Sequence, residues 1–183
     1  MIEESDAILV RYCLRGDQGA FEILVDRYQK VIYNVAIRIC GDYDDAEDIT
    51  QSVFIKVWQK LDTYKPQFKF YSWIYRMAIN ESLNHIKKRK QQEELDPDIL
   101  SEERTPDQAY AESELSHQIQ DALMEVDTHY RMVLVLRHFQ NCSYREMAYI
   151  LNIPEKTVKS RLFTARHILK EVLLKKGMMA NEY

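Results

Sequence analysis

Between residues 91 and 115 the chain carries nine acidic side chains and one basic one, and no other stretch limits the fold as severely. Pro97 and Pro106 fall inside it, and large apolar residues are few. Such a composition cannot bury enough surface to offset the entropy lost when a backbone is fixed. The stretch reads as a mostly extended linker. Folding is left to two segments, residues 1–90 and 116–177, with a short tail at 178–183.

Both segments read as all-α. Only four glycines and four prolines occur in 183 residues, which favours long helices with few turns. In the first segment a short helix over 6–15 is broken at Gly16 and Asp17. A long helix over 18–39 then places Phe21, Leu24, Val25, Tyr28, Ile32, Val35 and Ile39 on one side, and Gly41 ends it. Asp44 to Glu47 offer an Asp-x-x-Glu capping box for the next helix, whose buried face is Ala46, Ile49, Val53, Val57 and Leu61. A fourth helix begins near Ser72 and ends in the basic run Lys87 to Lys90. The second segment gives helices near 112–126, 128–139, 143–151 and 155–176, with Asp127 or Thr128 as a cap. The expected architecture is two small helical domains joined by a flexible acidic linker.

The second domain contains a helix-turn-helix pattern. Ser143 and Glu146 form a Ser-x-x-Glu capping box at the start of a short helix, with Met147, Ala148 and Leu151 on its inner face. Asn152 suits a left-handed turn position. Ile153 anchors the turn, and Pro154 presets the following helix. That helix buries Val158, Leu162, Ala165, Leu169 and Val172 and shows Lys156, Thr157, Lys159, Ser160, Arg161, Thr164 and Arg166 on its other side. Residues 145–176 hold eight basic and three acidic side chains. A recognition helix needs this distribution: polar groups to reach base edges, and Lys and Arg to hold phosphates. Arg145 joins the set from the preceding helix. A solvated amphipathic helix would also show a polar face, but it requires neither the capping box nor the tight turn.

A second constellation lies at residues 64–75, where six of twelve side chains are aromatic and two lysines interleave. Aromatic faces stack unpaired bases and lysines follow a phosphate backbone, so the composition suits single-stranded DNA. Arg76, Asn80, Asn84 and Lys88 follow at i, i+4 spacing and form one polar stripe. Part of the aromatic cluster is expected in the core, with Trp73 and Ile74 inward and Tyr64, Phe68, Lys69 and Tyr71 nearer solvent.

Other chemistries find little support. The sequence has no Gly-rich phosphate loop, nucleophile motif or paired metal-ligand spacing, so no enzyme activity and no cofactor are expected. His138 and Cys142 form an HxxxC without a following CxxC. Cys13, Cys40 and Cys142 are far apart and read as free thiols of a reducing compartment. No run is long and apolar enough to span a bilayer, and the acidic N-terminus lacks a signal pattern, so a cytoplasmic protein without membrane insertion is expected. The net charge of −4 hides an uneven distribution: +1 over 1–90, −8 over 91–115 and +3 over 116–183.

The motifs together carry a family resemblance. Asp44 through Trp58 resembles the extracytoplasmic-function (ECF) pattern of sigma-70 region 2, and Phe70 through Asn80 resembles the segment just downstream. Cys142 through Arg161 resembles region 4. Three motifs in this order, split by a variable linker, are specific to ECF sigma factors of RNA polymerase. The resemblance implies that Asp45, Asp48, Gln51, Ser52 and Ile55 dock on the clamp helices of the polymerase β′ subunit. It implies that Tyr64, Phe68, Lys69, Tyr71, Arg76, Asn80, Asn84, Lys87 and Lys88 serve the melted −10 element. Arg145, Lys156, Thr157, Lys159, Ser160, Arg161, Thr164 and Arg166 would read the −35 duplex, with region 4 also packing on the β flap. The partners implied are core RNA polymerase, promoter DNA and an anti-sigma factor. The chain departs from the family pattern at Ser52, where an acidic residue is common, and at Lys156, where glycine is.

Two further readings fit parts of the pattern. A dimeric helix-turn-helix regulator that never joins polymerase would bind duplex DNA tightly by itself. A protein-interaction adaptor would leave no DNA footprint at all.

Overall fold

The computed structural model describes residues 4–95 and 114–179. The linker from 96 to 113, with its expected extended character, and the last four residues lie outside the described residues. Within them the chain forms eight α-helices and no strand. The first module comprises α1 (Asp6–Cys13), α2 (Gln18–Cys40), α3 (Tyr43–Lys60) and α4 (Phe70–Leu95), with a 3-10 turn at Leu61–Thr63. The second comprises α5 (Glu114–Met124), α6 (Thr128–Leu134), α7 (Tyr144–Leu151) and α8 (Glu155–Lys175), with a π-helical turn at Val135–Phe139.

Local chemistry sets most of the helix ends. Asp17 caps α2 by accepting from the Ala20 amide at 3.1 Å, and Gly41 closes it in the left-handed region at φ 78°. Asp127 caps α6. Three expectations need correction. The cap of α3 is Asp42, whose carboxylate accepts from the Asp45 amide at 2.9 Å. The Asp44–Glu47 box is therefore displaced by two residues, because an acidic run offers several cap registers and Asp42 is the first to take one. The helix α4 starts at Phe70 and continues through Gln91–Leu95. Those residues are sound helix formers and the sequence has no breaker before Pro97, so the start assigned to the linker belongs to the helix. The expected helix over 128–139 changes to π geometry at Val135.

In the first module α2 is central and packs against α1, α3 and α4. Leu24, Ile32, Ile39, Ile49, Ile74 and Ile79 are fully buried there. In the second, α8 lies across α6 and α7, with Leu134, Leu136, Met147, Val158 and Leu162 inside. The two modules touch. The C-terminal half of α2 meets α5, α6 and the π turn, α4 meets α7, and the buried apolar residues form one cluster through both. Full burial of an aliphatic side chain contributes roughly 1.5–3 kcal/mol, so a shared cluster couples the modules.

Arg131 marks the junction. Only 6% exposed, it donates to the carbonyls of Met124 at 3.0 Å and Val126 at 2.9 Å and, across the junction, to that of Ile39. Gln120 Nε2 donates to the Ile37 carbonyl at 2.9 Å. Arg131 thus serves the Ile39 carbonyl at the C-terminal end of α2, where the last carbonyls lack intrahelical partners and the dipole favours a cation, and Gln120 adds a second donor to the Ile37 carbonyl, which also accepts from the Gly41 amide at 2.8 Å. Gly41 has a second duty here: a Cβ on it would stand 2.6 Å from Cε of Met124.

Candidate nucleic-acid interface

The helix-turn-helix is built as its sequence requires. The Ser143 hydroxyl accepts from the Glu146 amide at 3.2 Å, and the Glu146 carboxylate accepts from the Ser143 amide at 2.8 Å. This completes the capping box. Asn152 sits in the left-handed region at φ 53°. Pro154 occupies the cap position, one residue earlier than the first helical turn, and α8 begins at Glu155. Met147 and Ile150 are the buried residues of α7, while Ala148 and Leu151 are half-buried.

On the outer side of α8, Lys156, Lys159, Ser160, Thr164 and Arg166 are exposed, and Thr157 and Arg161 are partly so. Arg145 is exposed on α7. Lys159 pairs with Glu155 at 3.0 Å, and Arg166 Nε donates to His138 Nε2 at 3.3 Å. Burial, then the neighbouring Arg166 and Arg137, lower the His138 pKa, so this imidazole stays neutral and accepts. One side chain here escaped sequence reasoning. Phe163 is 77% exposed in the middle of this basic face. An aromatic residue between Arg161 and Thr164, at odds with the buried period of the helix, was the available signal.

In the first module, Trp73 and Ile74 are buried as expected. The four side chains expected nearer solvent do lie further out than Trp73 and Ile74: Lys69 is exposed, and Tyr64, Phe68 and Tyr71 are half-buried. The Tyr64 ring lies 5.5 Å from both Phe70 and Trp73, and its hydroxyl donates to the Phe68 carbonyl at 2.7 Å. Phe68 stacks on Tyr149 of α7, with centroids 4.0 Å apart and planes at 15°. The Tyr71 hydroxyl donates to the Glu146 carboxylate, and Lys69 Nζ stands 3.2 Å from the same group. Arg76 donates to the Tyr149 carbonyl at 3.4 Å. Asn80 and Asn84 are exposed and line a cleft of about 390 Å³ with Lys56 and Lys60 of α3. Lys87 and Lys88 are exposed further along α4.

The third set lies on α3. Asp48, Gln51 and Ile55 are exposed and Ser52 is partly so. Asp45 is turned toward α4, 3.3 Å from His85 and 3.4 Å from Arg89. Beside Ile55 stands Trp58, 45% exposed, its edge against Phe21 at 4.9 Å. The resemblance of Asp44 through Trp58 to region 2 implies no polymerase contact for Trp58.

Glu146 has two attachments, one to its own helix cap and one to the first module. Burial pushes its carboxyl up, but the Tyr71 hydroxyl, the Ser143 amide and hydroxyl, and Lys69 outweigh it and hold the pKa down at about 2. A carboxylate depressed on folding contributes stability at neutral pH and loses it as pH falls through the folded value. Wild-type stability is therefore expected to decline between the ordinary carboxylate range near 4.5 and pH 2. Glu146→Gln should flatten that part of the profile. Chemical-denaturation midpoints at closely spaced acidic pH values check this, and parallel profiles would contradict the assignment.

No group of His, Cys, Asp and Glu among the described residues is placed to hold a metal ion. Cys142 is buried, and burial pushes its thiol up to about 12.

Taken together, the basic helix-turn-helix and the aromatic loop ahead of an amide-lined helix define a DNA-binding protein of two parts. Residues 24–92 match the sigma-70 region 2 family, and residues 116–169 match sigma-70 region 4. The ECF RNA polymerase sigma factor SigW of Bacillus subtilis is 34% identical over 90% of this chain and 94% of its own length. The RNA polymerase sigma-H factor of Pseudomonas aeruginosa is 31% identical over 94% of this chain and 96% of its own length. Among solved structures, CnrH in complex with the cytosolic domain of CnrY matches at a TM-score of 0.71 and 26% identity, over 93% of this chain and 97% of that one. The chain belongs to the ECF group of the sigma-70 family. Its function is that of a sigma factor, which binds core RNA polymerase and directs it to specific promoters. A dimeric regulator acting without polymerase is not favoured by this kinship.

Proposed function

We propose a division of labour among the three surfaces. The outer face of α3, with Asp48, Gln51, Ser52, Ile55 and the added Trp58, docks on the polymerase clamp, and Asp45 fixes that face by its contacts with α4. The segment from Tyr64 to Tyr71, with Arg76, Asn80, Asn84, Lys87 and Lys88, holds the melted −10 strand. Lys60 places positive charge beside the two amides, where a phosphate next to a displaced base would lie, while Lys56 in the same cleft is paired with Glu81. The outer face of α8, with Arg145 from α7, enters the −35 major groove. There Arg and Lys hold phosphates and base edges, and Phe163 supplies an apolar contact for a thymine methyl. The observation that carries this reading is the pairing of an outward basic helix with a separate polar cleft on α4, each served by a different module.

Run-off transcription tests it. Core polymerase on sheared genomic DNA of the host is expected to start at a discrete set of new sites only when this chain is added. Identical transcripts with and without it would sink the proposal. The chain itself is expected to catalyse nothing. No described helix is long and apolar enough to cross a membrane, which supports a cytoplasmic location. The solved relative RpoE of Bartonella quintana is described in complex with the anti-sigma factor NepR, and this supports a protein antagonist for the present chain.

A further inference from the structure

Tyr64 uses both its ring and its hydroxyl inside its own module. The ring lies 5.5 Å from Phe70 and from Trp73, both buried. The hydroxyl donates to the Phe68 carbonyl four residues on, at 2.7 Å. Between these anchors the Phe68 amide donates to the Lys65 carbonyl at 3.0 Å. That bond closes a turn with Pro66 in its second position, where proline presets the backbone. Residues 64–69 therefore form a closed loop that shows Lys65, Gln67 and Lys69 to solvent. Its base is fixed in turn from α1 and α2. Tyr28 is buried with its ring 5.4 Å from that of Phe70. The Tyr28 hydroxyl donates to Asp6 at 2.6 Å, and Arg27 pairs with the same carboxylate. The charge of Asp6 also acts on Tyr64: burial, then that carboxylate, push the Tyr64 hydroxyl up, so it remains a donor.

We propose that Tyr64 and Tyr28 are positioning residues that set the 64–69 loop in its strand-gripping form before DNA arrives, Tyr64 by clamping the loop through the Phe68 carbonyl and Tyr28 by seating Phe70, on which Tyr64 rests. The inference rests on the −10 role proposed above and gives Tyr64 a particular place in it, behind the loop and not against a base. A loop already closed loses less conformational freedom when it binds. Affinity for the strand then depends on two hydroxyls that never touch it. The chain of contacts also brings α1 into the single-strand site, through Asp6.

Holoenzyme assembled from core polymerase and the full-length chain provides the test, at a start site mapped by the run-off experiment above. Tyr64→Phe removes the clamp and keeps the ring, so any stacking of that ring on a base would survive. Tyr28→Phe removes the link to Asp6 and keeps the ring beside Phe70. Two quantities are read. One is the holoenzyme concentration that half-saturates transcription from a template melted in advance over its −10 element. The other is hydrogen exchange of the Phe68 amide, followed by NMR in the full-length chain. Tyr64→Phe is expected to raise the half-saturating concentration about tenfold, the scale of one lost hydrogen bond, and to speed Phe68 exchange. Tyr28→Phe is expected to move both in the same direction, the concentration by about threefold. Capture by core polymerase shows that each chain is folded, and Tyr28→Phe carries the test if Tyr64→Phe is not captured. Weaker transcription with unchanged exchange would put the hydroxyl on the DNA and overturn the positioning role. Unchanged values throughout would overturn it too. Faster exchange with unchanged transcription would detach the loop from the −10 element and so strike the reading beneath the proposal.

Discussion

Arg131→Met is expected to lower the free energy of unfolding by about 3 kcal/mol. The guanidinium is almost completely buried and its partners are backbone carbonyls, those of Met124, Val126 and Ile39. A methionine of similar reach fills the space but donates nothing. Three carbonyls then lose a charged donor, and leaving one buried acceptor unmet costs roughly 1–3 kcal/mol. One of those carbonyls closes the 23-residue α2, so the loss reaches both modules. Arg131→Lys keeps the charge and loses the forked geometry, and should fall between the two. Urea unfolding at neutral pH measures all three chains. A loss under about 1 kcal/mol for Met would show that water replaces the guanidinium there.

The second large effect is functional. Ile55→Asp combined with Trp58→Ala should weaken capture by core polymerase at least about a hundredfold, the scale of losing a central pair of interface anchors. Ile55 is 58% exposed and its removal empties no core position. Trp58 gives up its edge contact with Phe21, a loss of about 1 kcal/mol, so the variant should fold. Thermal melting separates the two effects, and size-exclusion of the chain with core polymerase reads the capture. Retention of full capture by a folded variant would remove this face of α3 from the polymerase interface.

What could be read from the residues alone was what their near neighbours decide. Ser143 and Glu146 need only each other, Asn152 and Gly41 need only their own backbone angles, and the period of Leu24, Tyr28, Ile32, Val35 and Ile39 is internal to one helix. Each of these stands as read. Registers failed where several neighbours offered the same chemistry. Asp42, Asp44 and Asp45 can all cap, and only the observed hydrogen bond chooses among them. The end of α4 is not legible in the sequence because a charged run marks a linker as readily as a helix, Gln and Glu being good helix formers. The contacts of Phe68 with Tyr149 and of Tyr71 with Glu146 join residues about eighty positions apart. No local pattern announces them. They depend on how two separately specified bundles meet, which is why Phe68 and Tyr71, though further out than Trp73 and Ile74, are half-buried rather than exposed.

The three cysteines have one last consequence. Cys13, Cys40 and Cys142 are all buried, and burial pushes the Cys40 thiol up to about 11 and the Cys142 thiol up to about 12. Alkylating reagents and peroxides attack through the thiolate, which these sulfurs scarcely form while the helices stay packed. The trio is therefore a built-in clock of unfolding: the rate at which iodoacetamide consumes them reports how often the bundles come apart. An oxidant that acts directly on this factor must wait for the bundles to open.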